Sequence, residues 1–351
     1  MTPKKARLKD IALLAGVSIG TVDRVLHKRG EVADKTKVKI LKISRDLDYS
    51  PNYLARALKT KKRINIVSLL PEPTEENAFW KKHPDGISKA INELDPFPVN
   101  HIHVFFDLLS EKDFQKKTIE VLSCKPDGVI LAPIFKTEAI TFCNLLSEAN
   151  VPFVFVDGYI SETNFLAYTG EDIFQSGRVA GQLTAIVTPP GKDILIINIA
   201  RNLQNVHHLN NRTEGFLNYF STNGKNTGEK IICNIPNSDP ESIREGIEKA
   251  FGKNPEIASI FISGSKAYKV ADYLESKGKI PVNIIGYDLL EKNVSYLNTG
   301  TIKFLIGQRP EEQTYKGVKK LFEFLSLDRI PEKIEYLPVD IVTSENVIFF
   351  L

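Results

Sequence analysis

Cysteine is scarce in these 351 residues. Cys124, Cys143 and Cys233 are an odd number at unrelated spacings, which suits neither a disulfide framework nor a metal site and marks them as reduced core residues. No apolar run approaches the roughly 18 residues of a membrane span, and no apolar h-region follows the basic start. The expectation is a cytoplasmic protein without a membrane partner. In that compartment Asn211-Arg-Thr and Asn293-Val-Ser match the glycosylation pattern by chance. Phosphate loops are missing as well: Pro189-Pro-Gly-Lys-Asp offers a Gly-Lys alone, and no Gly-x-Gly-x-x-Gly or His-Glu-x-x-His occurs. His101/His103 and His207/His208 are spaced for neither one helix face nor a metal set. No catalytic constellation, metal or cofactor is therefore expected.

Positive charge, by contrast, is concentrated at one end. Residues 1–63 carry 17 Lys/Arg against 6 Asp/Glu, a balance of +11, whereas the remainder carries 29 against 37, a balance of −8. Such a segregated module concentrates a protein on polyanions and makes its affinity fall steeply with salt. Within it, Leu8, Ile11, Ala12 and Ala15 have helical spacing, and Gly16 supplies a position that accepts positive φ. Ser18 is placed to cap a second helix, in which Val22, Val25 and Leu26 form an apolar stripe. The pair reads as a helix-turn-helix or as an ordinary helical hairpin. Residues 34–47 form a third amphipathic helix, with Val38, Ile40, Leu41 and Leu47 expected inward and Lys35, Lys37, Lys39, Lys42 and Arg45 outward.

Lys9-Asp-Ile-Ala, Ala15-Gly-Val-Ser, Thr21-Val, Arg24-Val-Leu, Tyr49 and Pro51-Asn-Tyr-Leu-Ala-Arg-Ala-Leu, in that order, resemble the lactose/galactose repressor (LacI) family. The resemblance implies a DNA-binding domain over 1–49, a hinge helix and linker over 50–63, and an effector-binding and dimerisation domain over 64–351. Two helical turns after Ser50 and Pro51 are marginal alone and form only against a partner segment or DNA. The family pairs this segment across a dimer in the minor groove, which makes Leu58 a wedge between base pairs; the plainer alternative is a buried linker residue. On the second helix Ile19, Gly20, Asp23, Arg24 and His27 face outward. Arg24 either takes guanine bidentately, for roughly 1–3 kcal/mol of discrimination, or meets a phosphate. Ile19 suits a thymine methyl. Asp23, where the family usually has Ser, accepts from cytosine or pairs with His27. Thr21, Thr36, Tyr49 and Asn52 match positions that bond phosphate or sugar, and Leu8, Ser18 and Ala55 complete the implied DNA-contacting set.

From Ile64 onward short β-rich runs alternate with helical patterns. Strands are predicted at 64–70, 99–106, 127–133, 152–157, 193–199, 230–235, 258–263, 282–287 and 301–308, with helices such as 111–123, 137–149, 173–187, 208–221, 242–251 and 266–277. That is βαβ repetition, hence parallel sheets covered by helices, and there are enough strands for two lobes. The family's counterpart is the periplasmic-binding-protein type I fold, two doubly wound lobes around a cleft. Lobe one is expected at 64–169 plus 301–325, lobe two at 170–299 plus 330–351, with three crossings between them.

Three motifs match the family's effector region. Gly170-Glu-Asp-Ile-Phe-Gln-Ser-Gly carries a ligand-bonding role over to Asp172, Asn211-Arg-Thr-Glu-Gly-Phe to Arg212, and Gly286-Tyr-Asp to Asp288. Chemically the trio fits a polyol, carboxylates accepting from hydroxyls and an Arg fork donating to two oxygens; the plainer alternative for each is a cap or a surface ion pair. Trp80 or Phe79 stacks on a sugar face or packs in the core. Gln308 ends a late strand and is a further candidate. Ile262-Ser-Gly-Ser-Lys-Ala departs from the family's usual Asn-Asp. The reading is a homodimeric transcription regulator, a repressor on a palindromic double-stranded DNA operator, controlled by a small sugar or sugar acid. Its rivals are a cytoplasmic sugar-binding protein and a sugar-modifying α/β enzyme, neither with a DNA role. Val347-Ile-Phe-Phe-Leu brings no heptad tail, against a tetramerising coiled coil.

Overall fold

The computed structural model describes residues 8–26, 32–47, 63–76, 78–200, 207–223, 228–278 and 281–350. It consists of two compact units, 1–61 and 62–351. The first holds three helices, α1 (Leu8–Ala15), α2 (Ile19–Leu26) and α3 (Asp34–Asp46). Gly16, at φ +70°, ends α1: the Val17 N–H reaches the Ala12 carbonyl and the Gly16 N–H the Leu13 carbonyl, the paired bonds that a left-handed terminal residue permits. Ser18 caps α2, its Oγ accepting from the Thr21 N–H at 3.1 Å. Ile11, Ala12, Ala15, Val22, Val25 and Ile40 form the core, with Leu8, Leu26, Ile43 and Leu47 packed against it. The inward face of α3 differs from the expected one. Val38 is 66% exposed and Leu41 lies at the rim, because Thr36, Ile40, Ile43 and Leu47 follow a stricter 3.6-residue period toward the core. The hinge helix expected after Ser50 lies outside the described residues.

The second unit contains two six-stranded sheets. The first sheet holds β1 (Ile64–Pro71), β2 (Val99–Phe106), β3 (Gly128–Leu131), β4 (Phe153–Val156), β5 (Ala167–Gly170) and β11 (Ile334–Tyr336), in the order β11-β5-β4-β3-β1-β2, all parallel. The second holds β6 (Asp193–Ile199), β7 (Lys230–Ile235), β8 (Ile257–Ile262), β9 (Asn283–Tyr287), β10 (Ile302–Gly307) and β12 (Asp340–Val342). Its order is β12-β10-β9-β8-β6-β7, and β12 runs antiparallel to β10. The central strands are buried on both faces, as unbroken runs such as Phe153-Val-Phe-Val and Ile194-Leu-Ile-Ile require. Their cover is helical: α4 (His83–Glu93), α5 (Glu111–Ser123), α6 (Lys136–Glu148), α7 (Ile173–Val187), α8 (His207–Asn223), α9 (Pro240–Lys253), α10 (Ala267–Ser276), α11 (Glu291–Asn298) and α12 (Pro310–Leu327).

The assignment of 301–325 to one lobe divides at Gln308. β10 pairs with β9 in the second sheet, while α12 buries Val318, Leu321 and Phe322 on the first. The crossing therefore falls after β10, where Arg309 takes φ +55° and Pro310 opens the helix. The tail divides too, because β11 extends the first sheet and only β12 the second. Gly170, expected in lobe two, ends β5 of the first sheet. Three crossings remain, at 171–172, 308–309 and 337–339.

Candidate functional site

In the first unit, α2 presents Ser18, Ile19, Gly20 and Arg24 to solvent, with Thr21 and Asp23 half-buried. Ile19 is 52% exposed, and the Arg24 Nε donates to the Gly20 carbonyl at 3.3 Å. A guanidinium and an apolar side chain on one exposed helix face are chemically compatible with guanine and thymine-methyl contacts. Thr36 is half-buried near the start of α3, and Leu8, also half-buried, packs against the helical core. His27, Tyr49, Asn52, Ala55 and Leu58 lie outside the described residues.

In the second unit a cleft of about 1150 Å³ is lined by the carboxyl ends of strands from both sheets. Each sheet repeats one strand order, β2-β1-β3-β4-β5 and β7-β6-β8-β9-β10. Ligands of doubly wound sheets bind beyond these ends, where the order reverses. The two fourth strands end alike. Asp157 follows β4 at φ +67° and Asp288 follows β9 at φ +70°, a left-handed conformation that a residue with a Cβ rarely takes. Both are buried and line the cleft. Burial lifts the Asp157 carboxyl to about 6 and the Asp288 carboxyl to about 7, against the pull of Arg212 on each.

Arg212, on α8, holds this region together. Its Nε donates to Glu171 Oε1 at 3.0 Å and its Nη1 to the Ser263 carbonyl at 2.9 Å, while Nη2 meets Glu171 and Gln308. The guanidinium also lies 3.9 Å over the Tyr287 ring. Gln308 Nε2 donates to Asp288 Oδ1 at 2.8 Å, and Gln313 Oε1 accepts from the Asp157 N–H at 2.7 Å. Glu171 and Gln308 sit on two of the three crossings, and Arg309 on the second binds Asp340 beyond the third. A buried network therefore ties Arg212 to two of the joints between the lobes, and a separate half-buried pair, Arg309 and Asp340, links the second joint to the third.

Arg212, Asp288 and Gln308, three of the residues expected at the effector site, meet here. Asp172 lies apart from them. That side chain caps α7, accepting from the Gln175 N–H at 2.9 Å, and lines a neighbouring pocket of about 480 Å³, not the main cleft; its neighbour Glu171 is the buried acid. Trp80 resolves toward packing. It sits in a 3-10 turn at 78–82, 4% exposed and stacked on His83 at 4.4 Å, while Phe79 is half-buried; both border the cleft. Asp157 and Asn293 are missed. Asp157 carries a legible signal, an acid straight after four apolar β residues. Asn293 is fully buried: its amide donates to the Ser265, Tyr287 and Asp288 carbonyls at 2.9 Å, and its Oδ1 accepts from the Tyr268 N–H. That tie fixes the ends of β8 and β9 together. Among the described residues no His, Cys, Asp and Glu cluster could hold a metal, and no helix is long and apolar enough to cross a membrane.

A profile described as periplasmic binding protein domain matches residues 54–326, and one described as bacterial regulatory proteins, lacI family, matches residues 7–52. The chain belongs to the LacI family. The ribose operon repressor of Lactococcus lactis is 26% identical over 350 residues, 97% of each chain. Among solved structures, a LacI transcriptional regulator from Bacteroides fragilis superposes with a TM-score of 0.75 at 27% identity, covering 82% of this chain and 99% of that one. A glucose-galactose binding protein from Geobacillus stearothermophilus shares the fold at a TM-score of 0.71 and 23% identity, over 82% of this chain and 99% of that one. This LacI-family chain is a DNA-binding transcription regulator, not an enzyme.

Proposed function

We propose that this regulator represses transcription as a homodimer on a palindromic operator and changes its affinity when a small sugar or sugar acid enters the cleft. The observation that carries the reading is the Arg212 network, which connects cleft acids to residues at the crossings. A ligand that rearranges hydrogen bonds there has different affinities for different lobe arrangements, and that difference is the coupling free energy. The polar cleft chemistry supports a polyhydroxylated ligand, as do the ribose operon repressor and the sugar-binding relative. Arg24 reads a base edge, Ile19 touches a thymine methyl, and Thr21 and Thr36 set register on phosphates. Leu58 wedges at the operator centre. Leu58→Ala is expected to weaken specific binding far more than nonspecific binding; equal losses would refute the wedge.

The test is selection of a tight duplex from random sequence, followed by binding with and without sugars, sugar acids and sugar phosphates. A tenfold shift, about 1.4 kcal/mol of coupling, identifies effector class and sign of regulation. A selected site without two-fold symmetry would overturn the dimer-on-palindrome reading.

A further inference from the structure

The cleft holds two like charges that a neutral sugar leaves uncompensated. Lys266 precedes α10 and Lys269 lies in its first turn, and both line the cleft, half-buried. Lys266 Nζ donates to Ser238 Oγ at 3.1 Å, and Lys269 Nζ donates to the Ser238 carbonyl at 2.6 Å. Both ammonium groups thus converge on one residue of the loop after β7. Among the described residues neither forms an ion pair with a carboxylate. Other lysines of this unit do: Lys136 pairs with Glu162, Lys316 with Glu335, and Lys319 with Glu93.

Two ammonium groups brought together and partly desolvated repel each other, and water screens them poorly. Burial, and after it the charge of Lys269, pulls the Lys266 pKa below its ordinary value, with Glu76 acting in the opposite direction. Asp239, which lines the same cleft, is committed elsewhere: it caps α9, accepting from the Ser242 N–H at 2.9 Å and from Ser242 Oγ at 2.8 Å. The place is also meaningful in the fold. β8 adjoins β6, so the strand order of the second sheet reverses between those two strands, and both lysines follow β8 at that point.

We propose that the effector carries an anionic group, a carboxylate or phosphate, that seats between Lys266 and Lys269, while its hydroxyls bond Asp157, Asp288 and Arg212. The inference rests on the sugar-like reading and narrows it to an anionic polyol. Ammonium groups bind either anion as point charges through charge-assisted hydrogen bonds.

The experiment is calorimetric titration of the full-length protein with matched sets of neutral sugars, sugar acids and sugar phosphates. At least one acid or phosphate is expected to bind, its affinity falling tenfold or more in Lys266→Gln and in Lys269→Gln and surviving in Lys269→Arg. The acid and phosphate arms identify which anion is preferred. Each Gln variant removes a repulsive contact and is expected to unfold at or above the wild-type temperature, so lost affinity is not lost fold. A neutral sugar that binds wild type and both variants equally would overturn the inference and leave the effector reading standing. So would an acid or phosphate whose affinity neither substitution changes. If no compound of any class binds wild type, the effector reading itself fails, and the inference with it.

Discussion

Arg212 is 2% exposed and bonded to an equally buried acid, so its removal does two things at once. Arg212→Ala takes the donor fork from the cleft and strands the Glu171 carboxylate away from water. Breaking a buried pair by removing one partner costs about 3–5 kcal/mol. The expected outcome is loss of effector response together with a large drop in the unfolding temperature of the second unit, with nonspecific duplex binding retained. Unfolding and duplex titrations on one preparation check both. Asp288 gives a separable pH signature. Its folded pKa of about 7 lies above the roughly 3.9 of an unfolded Asp. Between those values the folded chain holds a proton that the unfolded chain has released. The associated stability is complete below about pH 4 and lost as pH rises through about 7. His83 and His101 act in the opposite sense. Burial pushes each to about 3, so their contribution is present above roughly pH 6.5 and lost as pH falls. The difference between Asp288→Asn and wild type isolates the Asp: the variant should gain in relative melting temperature from pH 5 to pH 8. A flat difference would mean that the carboxyl ionises normally.

Two facing helices decide where Arg212 stands. α7 and α8 approach so closely that a Cβ on Gly177 would overlap the Arg212 carbonyl, and one on Gly215 the Phe174 carbonyl. Backbone atoms cannot rotate aside as a side-chain end can. Gly177→Ala should therefore cost about 1–3 kcal/mol through forced separation, and also weaken effector binding although Gly177 is no cleft residue. Thermal unfolding and ligand titration read the two effects; unchanged stability would mean that the helices slide freely. Elements of this kind explain what the sequence discloses. The long strands and helices of the second unit are legible because buried β runs and 3.6-residue periods are strong local signals. β11 and β12, of three residues each, are too short to show a period, and β5, Ala-Tyr-Thr-Gly, lacks the apolar run that makes the equally short β3 and β4 legible. The helical face of α3 is misread because neighbouring apolar residues compete for one inward stripe, and only packing selects Ile40 and Ile43 over Val38. In the site, Arg212, Asp288 and Gln308 stand in or beside recognisable motifs. Glu171 is hidden by Asp172 beside it, since which acid turns inward depends on where β5 stops and α7 begins. Asn293 is overlooked because its worth lies in carbonyls 5, 6 and 28 residues away in sequence.

At the scale of the whole chain, charge is divided between a basic end and an acidic remainder. Duplex affinity should fall with a steep log–log dependence on salt, a slope of about −0.9 for each phosphate neutralised, while binding of an uncharged sugar should scarcely move. Fluorescence titrations between 50 and 200 mM salt check this, and a shallow slope would remove the basic end from the account of binding. Charge segregation is wholly legible in the sequence, whereas the division of lobes is not. β10 and α12 are consecutive yet serve different sheets, and β11 and β12 divide the same way. Local pattern says what an element is, and long-range pairing says to which sheet it belongs.

That interleaving bears on how the protein is made. Synthesis runs from the first residue to the last, and domains generally fold as units while the chain emerges. The three helices at the start have every partner of their small core within 47 residues. Neither lobe is so provided: the first waits for β11 at Ile334–Tyr336, and the second for β12 at Asp340–Val342. A nascent chain can thus possess a finished DNA-reading head long before it possesses a finished cleft. A ribosome stalled near residue 300 would display the helices without either completed sheet, and so a part that grips DNA without the part that answers a ligand.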